Sequence, residues 1–259
     1  PFGRKNRHRL TGRHLEGWEL QANAMEIINS GAQQSDIKQL QRDWMVCLNR
    51  GQFLTPVGCS DSHDVSRHFV GQGRTYIQGN DESLGEIDIA SATKSFRDGR
   101  VVVSCGLIPM VTVEQKYGPG DLIPKQSDDE LTLNLTVNTP DWIECNRYEI
   151  YLNGKFISNH SSDEESFDKL ENVTLKIPVP DYDVHIEVAV FGPGVTSLHW
   201  PIAKPYQPDQ PNWTSQVFGM TGAIWYDGNG DGKRNSAREI AGKLWEKFHA
   251  DAQVAIKRL

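Results

Sequence analysis

Short apolar runs alternate with amphipathic stretches over the first hundred positions. Residues 24–29 form an apolar run ended by a Ser-Gly pair, which is typical of a buried strand. Residues 35–50 then carry apolar side chains at helical spacing, and Gly51 follows where a helix-terminating glycine belongs. A second apolar run, residues 54–59, predicts another buried strand. The alternation continues with a strand at 74–78, a helix at 87–97 and a strand at 101–105. Buried strands alternating with amphipathic helices indicate a parallel α/β sheet or barrel.

After Gly106 the spacing of apolar residues changes to every second position. Asn153-Gly154, between two such segments, is a strong signal for a type I′ hairpin turn. The alternating segments lie at 108–115, 131–138, 147–152, 173–178 and 184–191. This pattern predicts a small antiparallel β-sandwich.

The last third begins with a Pro-rich connector at 201–211 and a short apolar segment at 224–226. A loop of Asp, Asn and Gly follows, and then a helix with one apolar stripe, which should dock on a neighbouring surface. The stripe consists of Ile240, Leu244, Phe248, Ala252, Ala255 and Leu259.

Composition narrows the class of protein. The net charge of −7 over 259 residues argues against a nucleic-acid partner, because phosphate binding needs a concentrated basic surface. No run of 18 or more apolar residues is present, so we expect no membrane span.

The chain opens on Pro1 without a signal peptide and reads as a fragment or a processed product. Cys47, Cys59, Cys105 and Cys145 lack CxxC spacing and could be four buried thiols or two disulfides.

The triplet Asp61-Ser62-His63 is the first candidate for chemistry. It lies at the C-terminal end of a predicted parallel strand, where barrel enzymes hold their reactive groups. A carboxylate beside a neutral imidazole is a common ligand pair for Zn, Mn or Fe, and the two side chains of an extended Asp-x-His point the same way. On spacing alone the alternative stays open that Asp61 caps the next turn and His63 is a surface residue.

Several segments in order resemble the second half of a PHP-superfamily domain, and more narrowly the CehA/McbA-type metallohydrolases. The resemblance covers roughly residues 1–120. The segments that carry it are AMEIIN at 24–29, LNRG at 48–51, TPVGCSDSH at 55–63, Gly-x-x-Arg-Thr-Tyr at 71–76 and RDGRVVVS at 97–104.

The resemblance implies the C-terminal part of a distorted (β/α)7 barrel that binds divalent metals at the C-terminal ends of its strands. Asp61 and His63 match the family's last metal-binding motif, and Glu26 matches an acidic position on a neighbouring strand. A structural carboxylate paired with an arginine is the alternative for Glu26. The family's His-x-His motif would lie upstream of Pro1, so the other half of the barrel would belong to the same precursor or to another chain.

The predicted function is that of a metal-dependent hydrolase acting on small phosphoesters or carboxylic or carbamic esters. Asp61 and His63 would hold Zn, Mn or Fe, which activates a water molecule. Arg74 could hold an anionic substrate group, or could instead form a surface salt bridge. The alternative function is a secreted structural or adhesive protein that retains a catalytically incomplete barrel.

A second constellation resembles the start of a calcium loop. Asp227, Asn229 and Asp231 supply oxygens at positions 1, 3 and 5, and Gly232 stands at position 6. Arg238 stands where the bidentate Glu belongs, and Glu239 follows one place late. Glu239 also completes a capping box with Ser236, so a plain turn rich in Asp and Asn is the alternative. An exposed calcium site would suit a secreted or periplasmic protein.

Together these patterns predict three parts: residues 1–107 as the C-terminal part of the barrel, 108–200 as the sandwich, and 201–259 as connector, calcium-like loop and terminal helix.

Overall fold

The computed structural model describes residues 14–17, 21–29, 36–63, 69–80, 85–161, 172–197, 200–201 and 214–248. Three helices lie in these ranges: α1 (Gln39–Asn49), α2 (Ile89–Arg97) and α3 (Ala237–Lys247). The strands of the first half are β1 (Ala24–Ile28), β2 (Thr55–Gly58), β3 (Arg74–Ile77), β4 (Val101–Cys105), β5 (Ile108–Val113) and β6 (Leu122–Ile123). Those of the second half are β7 (Glu130–Asn138), β8 (Arg147–Leu152), β9 (Lys155–Ser161), β10 (Val173–Pro178), β11 (Val184–Pro193), β12 (Gln216–Thr221) and β13 (Ile224–Tyr226).

The predicted (β/α)7, TIM-like barrel is wrong: the described residues form a mainly antiparallel β structure and no barrel. Only β1 and β2, joined by α1, form the expected parallel pair, and their sheet has two strands. β4, which its sequence marks as a buried strand, pairs antiparallel with β3 and β12. Alternation and burial identify a strand but not its partner, and the partner β12 comes from a distant part of the chain.

The prediction of an antiparallel sandwich is compatible with the structure. A three-stranded sheet, β10-β7-β5, packs on an eight-stranded sheet in which β3, β4, β12, β11, β8 and β9 lie in that order. β12 pairs with the last half of β11, and β13 pairs with its first residues. β13 also pairs in parallel with β6. The β8–β9 turn has φ of 48° at Asn153 and 72° at Gly154, which confirms the type I′ prediction. The large sheet therefore draws strands from all three of the predicted parts.

Strand β11 is buried on both faces and separates two hydrophobic cores. Its apolar side chains at positions 184, 186, 188 and 190 join the core between the two sheets. Ala189 and Phe191, on the opposite face, join a second core that includes Met25 of β1 and Trp44 of α1. Trp44 is fully buried, and its indole N–H donates to the carbonyl of Leu54 at 2.8 Å. The β1–α1–β2 unit is therefore packed against the large sheet as a third layer.

The structure confirms the signals in the sequence for the end of α1 and the start of α3. Gly51 follows α1 with φ of 83°, as expected for a glycine just past a helix end. Ser236 and Glu239 form the predicted capping box of α3. The stripe residues Ile240 and Leu244 are only half-buried, and positions 252, 255 and 259 lie outside the described residues.

All four cysteines are free thiols, which excludes the two disulfides; Cys47, Cys105 and Cys145 are buried, whereas Cys59 is partly exposed. Among the helices described, none combines the length and the apolar character needed to cross a membrane.

Candidate metal sites

Asp61 and His63 follow directly after β2 and contact each other. Asp61 Oδ1 lies 2.6 Å from His63 Nε2, and both side chains are exposed. Asp61 has φ of 47°, a left-handed conformation that Asp adopts more readily than most non-glycine residues. The bend replaces the extended geometry that the Asp-x-His pattern suggested, and the two side chains still meet.

Cys59, directly after β2, has a raised pKa. Its thiol is affected by the Glu26 carboxylate of β1 and by the backbone of Asp61. Burial, reinforced by the Glu26 carboxylate, raises the pKa of Cys59 to about 11, so the thiol stays protonated at neutral pH. Asn29 Nδ2 donates to Glu26 Oε2 at 3.1 Å. The sequence placed Cys59 at a strand end but did not indicate that Glu26 would affect its pKa.

Glycines let the segment before β3 pack closely against the end of β2. A Cβ atom at Gly73 would lie 2.3 Å from the carbonyl oxygen of Cys59, and one at Gly58 would lie 2.5 Å from that of Arg74. Thr75 Oγ1 bridges the backbone N–H and C=O of Gly58, at 2.9 and 3.0 Å. The backbone that carries Cys59 is therefore tightly held.

Arg74 begins β3 near this site, but its recorded contacts are elsewhere. Its Nε donates to the carbonyl of Gly71, and its Nη1 lies 3.4 Å from Tyr76 Oη. The guanidinium also stands over the Trp200 ring, 5.8 Å from the centroid. The Arg74 side chain is exposed.

The predicted ligand set fits a transition metal only in part. Metal bonds of about 2.0–2.2 Å place neighbouring donor atoms about 3 Å apart, so the Asp61–His63 pair would open slightly around an ion. Glu26, Asp61 and His63 do not form a group of three donors within 4.8 Å of one another in the residues that the structure describes. Two donors are thus in place, and Glu26 does not complete a three-donor group with them.

A tighter acidic cluster lies at the start of β11. Asp183, Asp227 and Asp231 bring carboxylate oxygens within 4.8 Å of one another, and it is the one such group among the described residues. Asp183 is 1 % and Asp227 3 % exposed, whereas Asp231 is exposed. In the described part of the chain none of the three forms a salt bridge. This cluster could bind a metal ion.

Backbone amides shape the cluster. Asp227 Oδ1 accepts hydrogen bonds from Gly230 N at 2.7 Å and Asp231 N at 3.1 Å, and its Oδ2 accepts one from Gly232 N at 2.8 Å. Asn235 Nδ2 donates to Asp183 Oδ2 at 2.8 Å and to Asp231 Oδ2 at 3.0 Å. The hydrogen bond from Asn235 is the main reason that the pKa of Asp231 lies below its ordinary value.

The four residues that the sequence predicts as calcium ligands do not all lie together in the structure. Asp227 and Asp231 lie in the cluster, and Asn229 Oδ1 accepts from Asp231 N at 2.9 Å. Glu239 is outside it: its carboxylate accepts from the Ser236 N–H at 2.7 Å and from Ser236 Oγ at 2.8 Å. These hydrogen bonds lower the pKa of Glu239.

Asp183 was missed by sequence reasoning. It lies one residue before β11, far along the chain from the loop, and no spacing motif connects the two. The only signal was the Pro-Asp-Tyr-Asp run at 180–183, which reads as a turn. The pairing of β11 with β13 brings the start of one strand beside the end of the other.

No family model, curated protein or solved structure matches this chain.

Proposed function

We propose that this chain contributes part of a metal-dependent hydrolytic site at the C-terminal ends of β1 and β2. The observation that carries the proposal is the contact of Asp61 with His63 directly after β2. Glu26 lies on β1, which pairs in parallel with β2, so residues of metal-ligand type stand on two neighbouring strands. The ordered sequence resemblance to the PHP superfamily supports the same function, although the barrel it implied is not the fold found.

In this proposal Asp61, His63 and Glu26 hold a divalent Zn, Mn or Fe ion. When bound, such an ion lowers the pKa of a coordinated water and polarises the scissile bond. His63 would coordinate as neutral imidazole, so metal binding would weaken as the pH falls. Arg74, exposed at the start of β3, would hold the anionic part of a phosphoester or of a carboxylic or carbamic ester. The remaining ligands would come from another segment of the same precursor or from another chain.

Metal binding to the wild-type chain tests the proposal. We expect Zn²⁺ measured by equilibrium dialysis, with calcium present to saturate other sites, to bind more weakly to Asp61→Asn and His63→Ala. Asp128→Asn, an exposed carboxylate elsewhere, is the matched control and should bind like wild type. Equal binding by all four proteins would exclude a metal site at Asp61 and His63.

A second candidate function, calcium binding, rests on the Asp183–Asp227–Asp231 cluster. Its donors are all hard oxygens, which suit Ca²⁺ rather than Zn²⁺. Asp183 stands before β11 and Asp227 directly after β13, so an ion would tie two strands and the loop that leads to α3. This role fits both a secreted or periplasmic hydrolase and the rival function of a secreted structural or adhesive protein.

Thermal unfolding with and without calcium tests this candidate. Ligand binding to the folded state stabilises it by about 2.7 kcal/mol at a concentration 100 times the dissociation constant. We expect Ca²⁺ to raise the Tm of wild type and of Asp181→Asn, whose side chain is 98 % exposed. Asp183→Asn should lose the shift. A Tm insensitive to millimolar Ca²⁺ in wild type would refute the site.

The two experiments together separate the enzyme from the structural protein. A calcium-dependent Tm without Zn²⁺ binding would favour the structural role. Loss of Zn²⁺ binding in the Asp61 and His63 variants would favour the hydrolase.

A further inference from the structure

A small cleft lies between the ends of α1 and α2 and the segment after β13. Its volume is about 40 Å³, whereas a single buried water needs roughly 10–15 Å³, so the cleft admits a small chemical group but not a large cofactor. Trp44, Leu54 and Ala223 form a buried, apolar part of its lining. Phe53 also lines it and is 44 % exposed. The cleft is therefore an apolar recess with access to solvent.

The charged residues of the lining carry a positive excess. Arg97 and Arg234 stand against one acidic residue, Asp98. The Asp98 carboxylate already accepts a hydrogen bond from Lys94 Nζ, which is the main reason that the pKa of Asp98 lies below its ordinary value. Arg97 is exposed at the end of α2. The two arginines thus present positive charge that Asp98, held by Lys94, does not balance.

Arg234 is the more buried of the two arginines. Its guanidinium stands over the Trp225 ring, 5.5 Å from the centroid, and its Nη2 donates to the carbonyl of Gly120. Phe53 meets the same Trp225 ring edge-on, with centroids 4.9 Å apart. Burial lowers the pKa of Arg234, because a cation removed from water loses its hydration. A guanidinium carries five N–H donors in a planar fork, which suits a carboxylate, and an anion in the cleft would offset the cost of burying this charge.

We propose that this cleft binds a small aliphatic carboxylate, with its apolar chain against Phe53 and the buried floor and its carboxylate on Arg97 and Arg234. An apolar lining favours a ligand with a hydrocarbon body over a bare inorganic anion. Asp98 in the lining repels a dianion such as phosphate more than it repels a monoanion. The cleft shares no lining residue with either candidate metal site, so this binding is independent of the hydrolytic and calcium proposals.

Titration of the full chain with butyrate, followed by ligand-observed NMR, tests the proposal. Butyramide has the same chain without the charge, and inorganic phosphate has charge without the chain, so we expect butyrate to bind more tightly than either. Arg97→Gln and Arg234→Gln should each weaken butyrate binding about tenfold, because each removes a charge-assisted hydrogen bond. Phe53→Ser should weaken it by removing apolar contact. Arg238→Gln, an exposed arginine of α3 outside the cleft, is the matched control and should bind like wild type.

Each contrary outcome overturns a stated part of the proposal. Absence of butyrate binding to wild type overturns it as a whole. Equal binding of butyramide removes the role of the arginines, and tighter binding of phosphate identifies a simple anion site instead. Unchanged butyrate affinity in both Arg97→Gln and Phe53→Ser places the ligand elsewhere. These two variants change exposed side chains and decide the test if Arg234→Gln does not fold.

Discussion

Asn49 and His185 join the end of α1 to β11, the strand that separates the two hydrophobic cores. Asn49 Oδ1 lies 3.0 Å from His185 Nε2, and Asn49 Nδ2 donates to the carbonyl of Asn153 at 2.8 Å. The second bond fixes the amide orientation, so His185 Nε2 must be the donor in the first. His185 Nδ1 lies 2.5 Å from Glu187 Oε1, and both side chains are buried. The histidine thus connects α1 with a buried carboxylate of β11.

Replacing Asn49 with Ala should destabilise the fold. The change removes two hydrogen bonds and leaves the buried N–H of His185 without its acceptor. A buried donor without a partner costs about 1–3 kcal/mol, so we expect a loss of this size in urea unfolding at pH 7. Gln126→Ala, which removes an amide that makes an exposed hydrogen bond to the carbonyl of Pro124, is the control. A change below about 0.5 kcal/mol in Asn49→Ala, the usual range for surface substitutions, would show that the bond contributes little.

Gly58 should tolerate no side chain. A Cβ atom there would lie 2.5 Å from the carbonyl oxygen of Arg74 and 3.1 Å from its carbonyl carbon, so β2 and β3 would have to separate. Overpacking of this kind costs about 1–3 kcal/mol, and we expect Gly58→Ala to lower the Tm accordingly. Gly79, whose added Cβ would meet nothing within 4 Å, is the matched control. Equal Tm values for the two variants would mean that the strands adjust freely.

The capping box of α3 should stabilise the protein in a pH-dependent way. Removing the cap with Ser236→Ala should cost about 1 kcal/mol. The folded pKa of Glu239 lies below its ordinary value of 4.5 because Ser236 donates to the carboxylate. Its contribution is therefore present above pH 4.5 and is lost as the pH falls through the folded pKa. Unfolding measured between pH 6 and pH 3 should show a shallower decline for Glu239→Gln than for wild type, and equal slopes would contradict this.

Cys145 should make the protein sensitive to alkaline pH. Burial raises the pKa of its thiol from 9.0 to about 11. A folded pKa above the unfolded one gives stability that is complete below pH 9 and is lost as the pH rises toward 11. Cys145→Ala should therefore show a smaller loss of stability than wild type between pH 8 and pH 10.5. A difference between the two proteins that does not vary with pH would exclude this linkage.

The sequence by itself determined the local features. The type I′ turn at Asn153-Gly154, the glycine after α1, the capping box of Ser236 and Glu239, and the position of β8 all follow from residues that are neighbours in the chain. Their dihedral angles and hydrogen bonds need no distant partner, so composition and spacing were sufficient. The Asp61–His63 contact is local too, but a left-handed bend at Asp61 makes it, not the extended geometry that the sequence suggested.

Only the tertiary structure decided which strands pair and which side chains meet across them. β4 has the apolar run of a barrel strand, yet it lies antiparallel to β12, because burial on both faces is equally satisfied in either arrangement. Asp183 joins the calcium-like loop because the pairing of β11 with β13 brings distant positions together. A hydrophobic pattern records how deeply each residue is buried. It does not record which other residue lies opposite, and the aspartate cluster depends on that.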